Sequence, residues 1–337
     1  MKKIDMHTHI LPKHLPKWAE KFGYDGFLHL EHNQPGTADM MKGEKFFRRI
    51  KENCWSPEKR LEEHTLYNID LQVICTIPIM FAYWAKAKDN LEVAQYLNDD
   101  IAETVAKHPK RFVALATLPM QDPDLSIQEL ERCMKNPAFA GVQIGSHINT
   151  WNLNAKELFP VFEACERLGA CVLVHPWDMM GTEGMPDYWL PWLVGMPAET
   201  SRAICSLIFG GVFERLPNLR VAFAHGGGAF SGTVGRVEHG FTSRPDLVAT
   251  DNLVNPRDYL GKFWVDTAVF DQNFLKYIVG LYGSEKICVG SDYPFPLGEA
   301  IPGGLVESIP DFDSETRANL MYRSALAWLG RKQEDFE

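Results

Sequence analysis

Cys171-Val172-Leu173-Val174-His175, four apolar residues closed by a histidine, is the stretch on which the reading of this chain turns. An apolar run without polar alternation marks a strand covered on both faces, as in a parallel sheet flanked by helices. Gly169, just ahead of the run, is a residue suited to ending the preceding helix. Similar short runs recur from end to end, near residues 3–6, 72–77, 112–117, 141–144, 171–174, 220–224, 263–266 and 287–290. Eight strands alternating with amphipathic segments predict an α/β fold, a (β/α)8 TIM barrel occupying residues 1–337 as a single domain.

The segments between the runs carry helix signals. Residues 89–107 open at Asp89 and repeat Leu91, Ala94, Leu97, Ile101 and Val105 roughly on one face. A second helix is expected from Asn154 to Leu168, and a last one from Ser314 to Gly330. One connection is far longer than the usual few residues, from the end of the first strand to the helix opening at Ser56-Pro57. It holds Trp18, Phe22, Tyr24, Phe27, Phe46, Phe47 and Trp55, too many aromatics for a disordered insertion. Residues 12–55 are therefore expected to fold as a small insertion subdomain over the barrel mouth.

Composition narrows the function classes. A net charge of −10 argues against a general nucleic-acid binder, although a few local arginines can still serve an anionic substrate. No run approaches the roughly 18–20 apolar residues of a membrane span, and no apolar core follows Lys2 and Lys3 as in a signal peptide. Seven cysteines without a CxxC pair read as buried thiols of a cytoplasmic protein.

The rim of the predicted barrel collects metal-binding side chains. His7 and His9 in Ile4-Asp5-Met6-His7-Thr8-His9 are two residues apart, so their rings share one side of a strand. His175, His225 and Asp292 each close a different apolar run, at the strand end where barrels of this class place their chemistry. Three histidines and one carboxylate suit zinc, with a position left for water. The fourth strand, Gly141-Val142-Gln143-Ile144-Gly145-Ser146, ends without a lysine that a second metal could use. One Zn2+ per subunit and no organic cofactor are expected. Gly226-Gly227-Gly228 lacks phosphate-loop spacing and reads as room for close backbone approach.

IDMHTHILP (4–12), LVHPWDMMG (173–181), WLPWLVGMPAET (189–200), FAHGGGAF (223–230) and GSDYPFPLGE (290–299) resemble the 2-amino-3-carboxymuconate-6-semialdehyde decarboxylases of the amidohydrolase superfamily. ENCWSPE (52–58) and TLPMQDP (117–123) extend the resemblance over nearly the whole chain. It implies a zinc-dependent, non-oxidative decarboxylation giving 2-aminomuconate-6-semialdehyde, in the kynurenine pathway of tryptophan catabolism, which limits quinolinate and NAD formation. His7, His9, His175 and Asp292 then hold the zinc, Asp292 also counting as catalytic, and His225 takes the proton of the attacking water. Arg48 and Arg236 match carboxylate-binding arginines, the second reaching the neighbouring subunit's site, which implies a homodimer. Lys42, Trp189 and Phe295 match further pocket positions. Arg49 adjoins Arg48, and the spacing to Trp55 favours Arg48.

Other readings share the same rim. A resorcylate-type decarboxylase, a hydratase, or a zinc hydrolase of lactones or amides would use the same histidines and aspartate. The residues alone do not separate hydrolysis from decarboxylation. A catalytically dead barrel serving as a scaffold would be expected to lack a rim ligand, and none is missing.

Overall fold

The computed structural model describes residues 1–336. Its strands are β1 (Ile4–His9), β2 (Leu28–Gln34), β3 (Thr37–Lys42), β4 (Lys45–Lys51), β5 (Leu71–Cys75), β6 (Phe112–Ala116), β7 (Phe139–Gly145), β8 (His147–Ile148), β9 (Trp151–Asn152), β10 (Cys171–His175), β11 (Val221–Phe223), β12 (Trp264–Asp266) and β13 (Ile287–Cys288). Eight of them form one parallel sheet in the order β1-β5-β6-β7-β10-β11-β12-β13. The sheet curls until its ends meet: the Met6 N–H donates to the Val289 carbonyl at 2.8 Å, and Thr8 bridges Tyr293. The chain is a TIM barrel.

Strand parity explains the rim. Cys171 and Leu173 pack in the barrel interior with Val73, Leu115, Ala222 and Cys288, whereas Val172 and Val174 pack outward with the helix layer. His175 continues the inward series, so its ring closes the top of the interior. On β1 the count is reset by a bulge. Asp5 to Thr8 spans three steps against two on β5, from Gln72 to Ile74. Met6 can thus face the interior core while His7 and His9 both face the mouth.

Helices follow the sequence signals with local differences. Ser56 caps Pro57–Tyr67 by accepting from the Lys59 N–H at 3.1 Å, and Gly169 ends Phe159–Leu168 in the left-handed region. That helix begins at Phe159 and not at Asn154: residues 153–158 form turns, and Pro160, with its fixed φ, falls in the first helical turn. The C-terminal helix runs from Ser314 to Leu329, with a π-helical stretch at Asn319–Arg323.

Between β1 and the helix at Pro57, the chain forms a short helix (Trp18–Phe22) and the antiparallel sheet β2-β3-β4. Trp18, Phe27, Leu28, Met40 and Ile50 share an apolar cluster with Ile77, Met80, Val93 and Leu97, which follow β5. β3 and β4 carry Lys42, Phe47 and Arg48 to the cavity that opens above His9 and His175.

Candidate metal centre

Each histidine of β1 and β10 has one nitrogen fixed by an acceptor. His7 Nδ1 is 2.7 Å from Asp266 Oδ2, His9 Nδ1 is 3.0 Å from the Thr76 carbonyl, and His175 Nδ1 is 2.8 Å from the Pro176 carbonyl. Those acceptors place the ring proton on Nδ1 and leave every Nε2 as a bare lone pair. His7 Nε2 and His9 Nε2 are 3.1 Å apart, and the buried His175 Nε2 has no hydrogen-bond partner. Asp292 Oδ1 lies 3.1 Å from His9 Nε2 and 3.6 Å from His7 Nε2. Lone pairs and a carboxylate turned on one another in a buried space are stable only around a cation. The donor set, nitrogen and oxygen without sulfur, fits a divalent ion.

His225 stands at the edge of this group, its Nε2 3.6 Å from Asp292 Oδ2. His7, His175, His225 and Asp292 offer ligand atoms that all lie within 4.8 Å of one another; His9 is outside that foursome yet touches both His7 and Asp292. Unlike the other three rings, His225 has no acceptor on Nδ1 among the described residues.

The electrostatics are those of a metal-free cluster. Burial, together with the charges on His7, His225 and His9, pushes His175 well below the ordinary histidine value. Burial also lowers His9, while for His7 the hydrogen bond to Asp266 and the nearby carboxylates outweigh burial and leave it raised. Burial acts against the charge on Asp292, but the surrounding histidines hold it well below the usual carboxylate range.

Backbone geometry holds the rim in place. His225 and Asp292 sit at φ of 58° and 60°, left-handed conformations that cost a side-chain-bearing residue about 1 kcal/mol each. Asp266 organises the first: Oδ2 accepts from the His225 N–H at 3.0 Å, and Oδ1 from the Gly226 and Ala268 N–H groups at 2.9 and 3.1 Å. Gly226 is required here, since a Cβ would lie 2.3 Å from Val269 Cγ1. Gly226 thus serves a tight turn onto Asp266, while a Cβ at Gly228 would lie 2.5 Å from the Pro197 carbonyl oxygen. The Asp292 N–H donates to the His7 carbonyl at 3.0 Å, and the His9 N–H to the Tyr293 carbonyl at 2.8 Å. Arg60, fully buried, ties this edge together: Nη1 donates to the His9 carbonyl at 2.7 Å and Nη2 to Thr8 Oγ1 at 3.0 Å, beneath the Tyr293 ring. Asp266 and Arg60 were not among the residues singled out from sequence. Asp266 carried a usable signal, because it ends an apolar run as Asp292 and His175 do.

Above the cluster opens a cavity of about 670 Å³ lined by His9, His175 and Asp292. Lys42, Arg48, Trp189 and Phe295 line it too, with Trp177 and Trp192 completing the aromatic wall. The Arg48 guanidinium lies 5.1 Å from the Phe295 ring centre; burial lowers its pKa and the Asp292 charge partly offsets that. Arg49 does not share the cavity. It forks onto Asp39 with bonds of 2.6 and 2.9 Å and is half exposed. Arg236 is elsewhere, exposed on the helix Phe230–Ser243 and without an ion pair or hydrogen bond among the described residues. A second cavity, about 730 Å³, opens beside Met1–Ile4, where Lys3 pairs with Glu307 at 2.8 Å and Arg111 donates to the Asp70 and Ile69 carbonyls.

No helix among the described residues is long and apolar enough to cross a membrane. The amidohydrolase family profile matches residues 4–331. The chain is 57% identical to 2-amino-3-carboxymuconate-6-semialdehyde decarboxylase of Dictyostelium discoideum over 97% of this chain and 91% of the relative. It is 36% identical to the protein of that name from Caenorhabditis elegans, over 97% and 94%. A crystal structure of dihydroxybenzoic acid decarboxylase from Polaromonas sp., with bound manganese and 2-nitroresorcinol, has the same fold, with a TM-score of 0.78 at 20% identity over 99% of this chain and 98% of that one. The match, which takes in the barrel, the histidine cluster and the aromatic cavity alike, places the chain in the amidohydrolase family, among its 2-amino-3-carboxymuconate-6-semialdehyde decarboxylases, and makes it a carboxy-lyase.

Proposed function

We propose that the chain removes carbon dioxide from 2-amino-3-carboxymuconate-6-semialdehyde, using one zinc ion held by His7, His9, His175 and Asp292. The observation that carries the metal is the convergence of three Nε2 lone pairs, each fixed by an acceptor on Nδ1. Such outer acceptors are a regular feature of metal-bound imidazoles, and the lack of one on His225 favours a proton-transfer role for it. A divalent ion at this place supplies Lewis acidity that makes water an available nucleophile near neutral pH.

The protein groups then divide the work. Arg48, on the cavity wall, suits a substrate carboxylate because its guanidinium offers paired donors, and Lys42 adds a second positive charge. Trp189 and Phe295 flank the conjugated chain and exclude bulk water. His225 Nε2 takes a proton from water as the hydroxyl adds to the carbon bearing the amino group, and protonated His225 returns that proton to the adjacent carbon. The bond from that carbon to its carboxylate breaks, its electron pair re-forms the double bond, hydroxide leaves, and carbon dioxide is released. This reaction would divert the kynurenine pathway of tryptophan catabolism away from quinolinate and NAD. Arg236 supports a homodimer: among the described residues it has no charge partner, and nothing lies within 4 Å of a Cβ built at the neighbouring Gly232 and Gly235. A cytoplasmic enzyme is consistent with the seven free cysteines.

The test is zinc-loaded protein with freshly generated substrate, following conjugated absorbance together with carbon dioxide. Absorbance lost faster than spontaneous cyclisation, with stoichiometric carbon dioxide, is the expected result. Decay at the spontaneous rate would reject this substrate and turn attention to aromatic carboxylates, of the kind named for the Polaromonas structure.

A further inference from the structure

Glu199 lies in the first turn of the helix Met196–Phe209, with its carboxylate buried. Four donors reach it from three elements. Ser146 Oγ donates at 3.2 Å and His147 Nδ1 stands at 3.2 Å, both just beyond β7. Arg202, one turn further along the same helix, binds the same oxygen. The backbone N–H of Met180 donates to the other oxygen at 3.2 Å. Burial works against the charge, but the His147, Arg202 and Met180 contacts keep Glu199 below the usual carboxylate range.

Met180 belongs to the stretch that leaves β10 and returns to this helix. Trp177, Asp178, Met179, Thr182 and Trp189 of that stretch form one wall of the cavity. From 178 to 188, its other hydrogen bonds are turns closed within the stretch or into the residues just after it. Among the described residues, the Met180–Glu199 bond is the one that joins 178–188 to a separate element. The same hub reaches Trp177 through His147: the Trp177 Nε1–H donates to the His147 carbonyl at 2.7 Å, and the two rings stack 5.5 Å apart. Asp178, Tyr188 and Trp189 have φ between 46° and 58°, so the wall holds a conformation that free chain would leave.

We propose that Glu199 is a positioning residue that pins the wall at 177–189 against the end of β7 and thereby sets how tightly substrate is held. Only its kinetic consequence rests on the decarboxylase reading.

Glu199→Gln keeps the volume and one acceptor, loses the charge, and turns an amide donor towards the groups that now donate. The expected result is a KM raised about tenfold with kcat within about twofold and metal content unchanged. Hydrogen exchange should accelerate at 178–188 and stay unchanged at 203–209. Unchanged exchange at 178–188 in the folded variant overturns the proposal. So does faster exchange with an unchanged KM, or metal loss accompanied by a fall in kcat. Should Glu199→Gln not fold, Trp177→Phe keeps a ring and removes the bond to the His147 carbonyl, and the same two measurements decide. A folded, zinc-loaded parent without turnover would sink the substrate assignment alone, and exchange in the variant would still rule on Glu199.

Discussion

His7 and His9 turn their Nε2 atoms towards each other across 3.1 Å, while the far nitrogen of each ring is committed to an acceptor. Two imidazole lone pairs at that separation repel unless a cation stands between them. The arrangement exists because a bulge on β1 resets its side-chain phase, and because Asp266 and the Thr76 carbonyl fix both ring protons.

Asp266 should therefore govern metal affinity without touching the metal. Asp266→Asn replaces an acceptor by a group that can donate, which favours the wrong His7 tautomer. Metal affinity is expected to fall about 10- to 100-fold, read by competition with a chelator. Affinity equal to the parent's would mean that His7 does not depend on this hydrogen bond.

Adjacent arginines should behave oppositely. Arg48 lines the cavity, so Arg48→Ala should lower kcat/KM by at least about 100-fold, the usual consequence of stripping a charged partner from a buried substrate group. Arg49 is spent on Asp39 in a half-exposed, solvent-screened pair, so Arg49→Ala should leave stability nearly unchanged and kcat/KM within about twofold. Steady-state kinetics on both variants separate the two roles, and equal losses would contradict the placement.

Much of this was legible in the chain, and the exceptions have physical causes. Continuous apolar runs betray buried parallel strands, and the His and Asp residues that end them mark the rim. Asp266 ends such a run too, but its meaning comes from His7, 259 positions away. Arg60 lies on a helix, where an arginine is ordinarily solvated; its burial against the His9 carbonyl is a tertiary fact. The hairpins of β2-β3-β4 turn at Pro35-Gly36 and Gly43-Glu44, with both glycines at positive φ, a signal of two short dipeptides in a segment dominated by aromatics. Asn154 looked like a helix cap, but residues 153–158 turn before the helix begins at Phe159.

His64 should give the fold an acid-sensitive component. It is buried near Arg60 and Arg111, and burial, reinforced by those two charges, drives its pKa down to about 3. The folded state thus holds it neutral while the unfolded chain binds a proton below about 6.5. Its contribution is intact above that pH and is lost progressively as pH falls towards 3. Urea unfolding of metal-free parent and His64→Gln at pH 7 and pH 5 should show the parent losing about 2 kcal/mol more than the variant. Parallel losses would mean that His64 is protonated in the fold.

His225→Ala distinguishes a ligand from a proton carrier. His225 lies close enough to His7, His175 and Asp292 to be a ligand, but its Nδ1 lacks the acceptor that the other rings have. The variant is expected to keep its metal and to lose turnover by about 100-fold or more. His175→Ala, which deletes a buried and otherwise unpaired Nε2, should lose the metal. Equal metal loss in both variants, measured by elemental analysis, would make His225 a ligand.

Arg236 stands exposed on the helix Phe230–Ser243, unpaired among the described residues and outside its own chain's cavity, on a surface where Gly232 and Gly235 let another backbone come close. If it completes the carboxylate site of a second subunit, each homodimer of Arg236→Ala is inactive at both sites although its metal is intact. A dimer pairing that variant with His175→Ala has one site with its own metal and the partner's arginine. Mixing the two inactive proteins through mild dissociation and reassociation should restore up to about a quarter of parental activity. That is the statistical yield when half the dimers are mixed and each has one complete site of two. Recovery that tracks the mixing ratio would assign the arginine to the neighbouring site. No recovery at any ratio, with mixed dimers confirmed by mass, would confine Arg236 to its own subunit or to the surface.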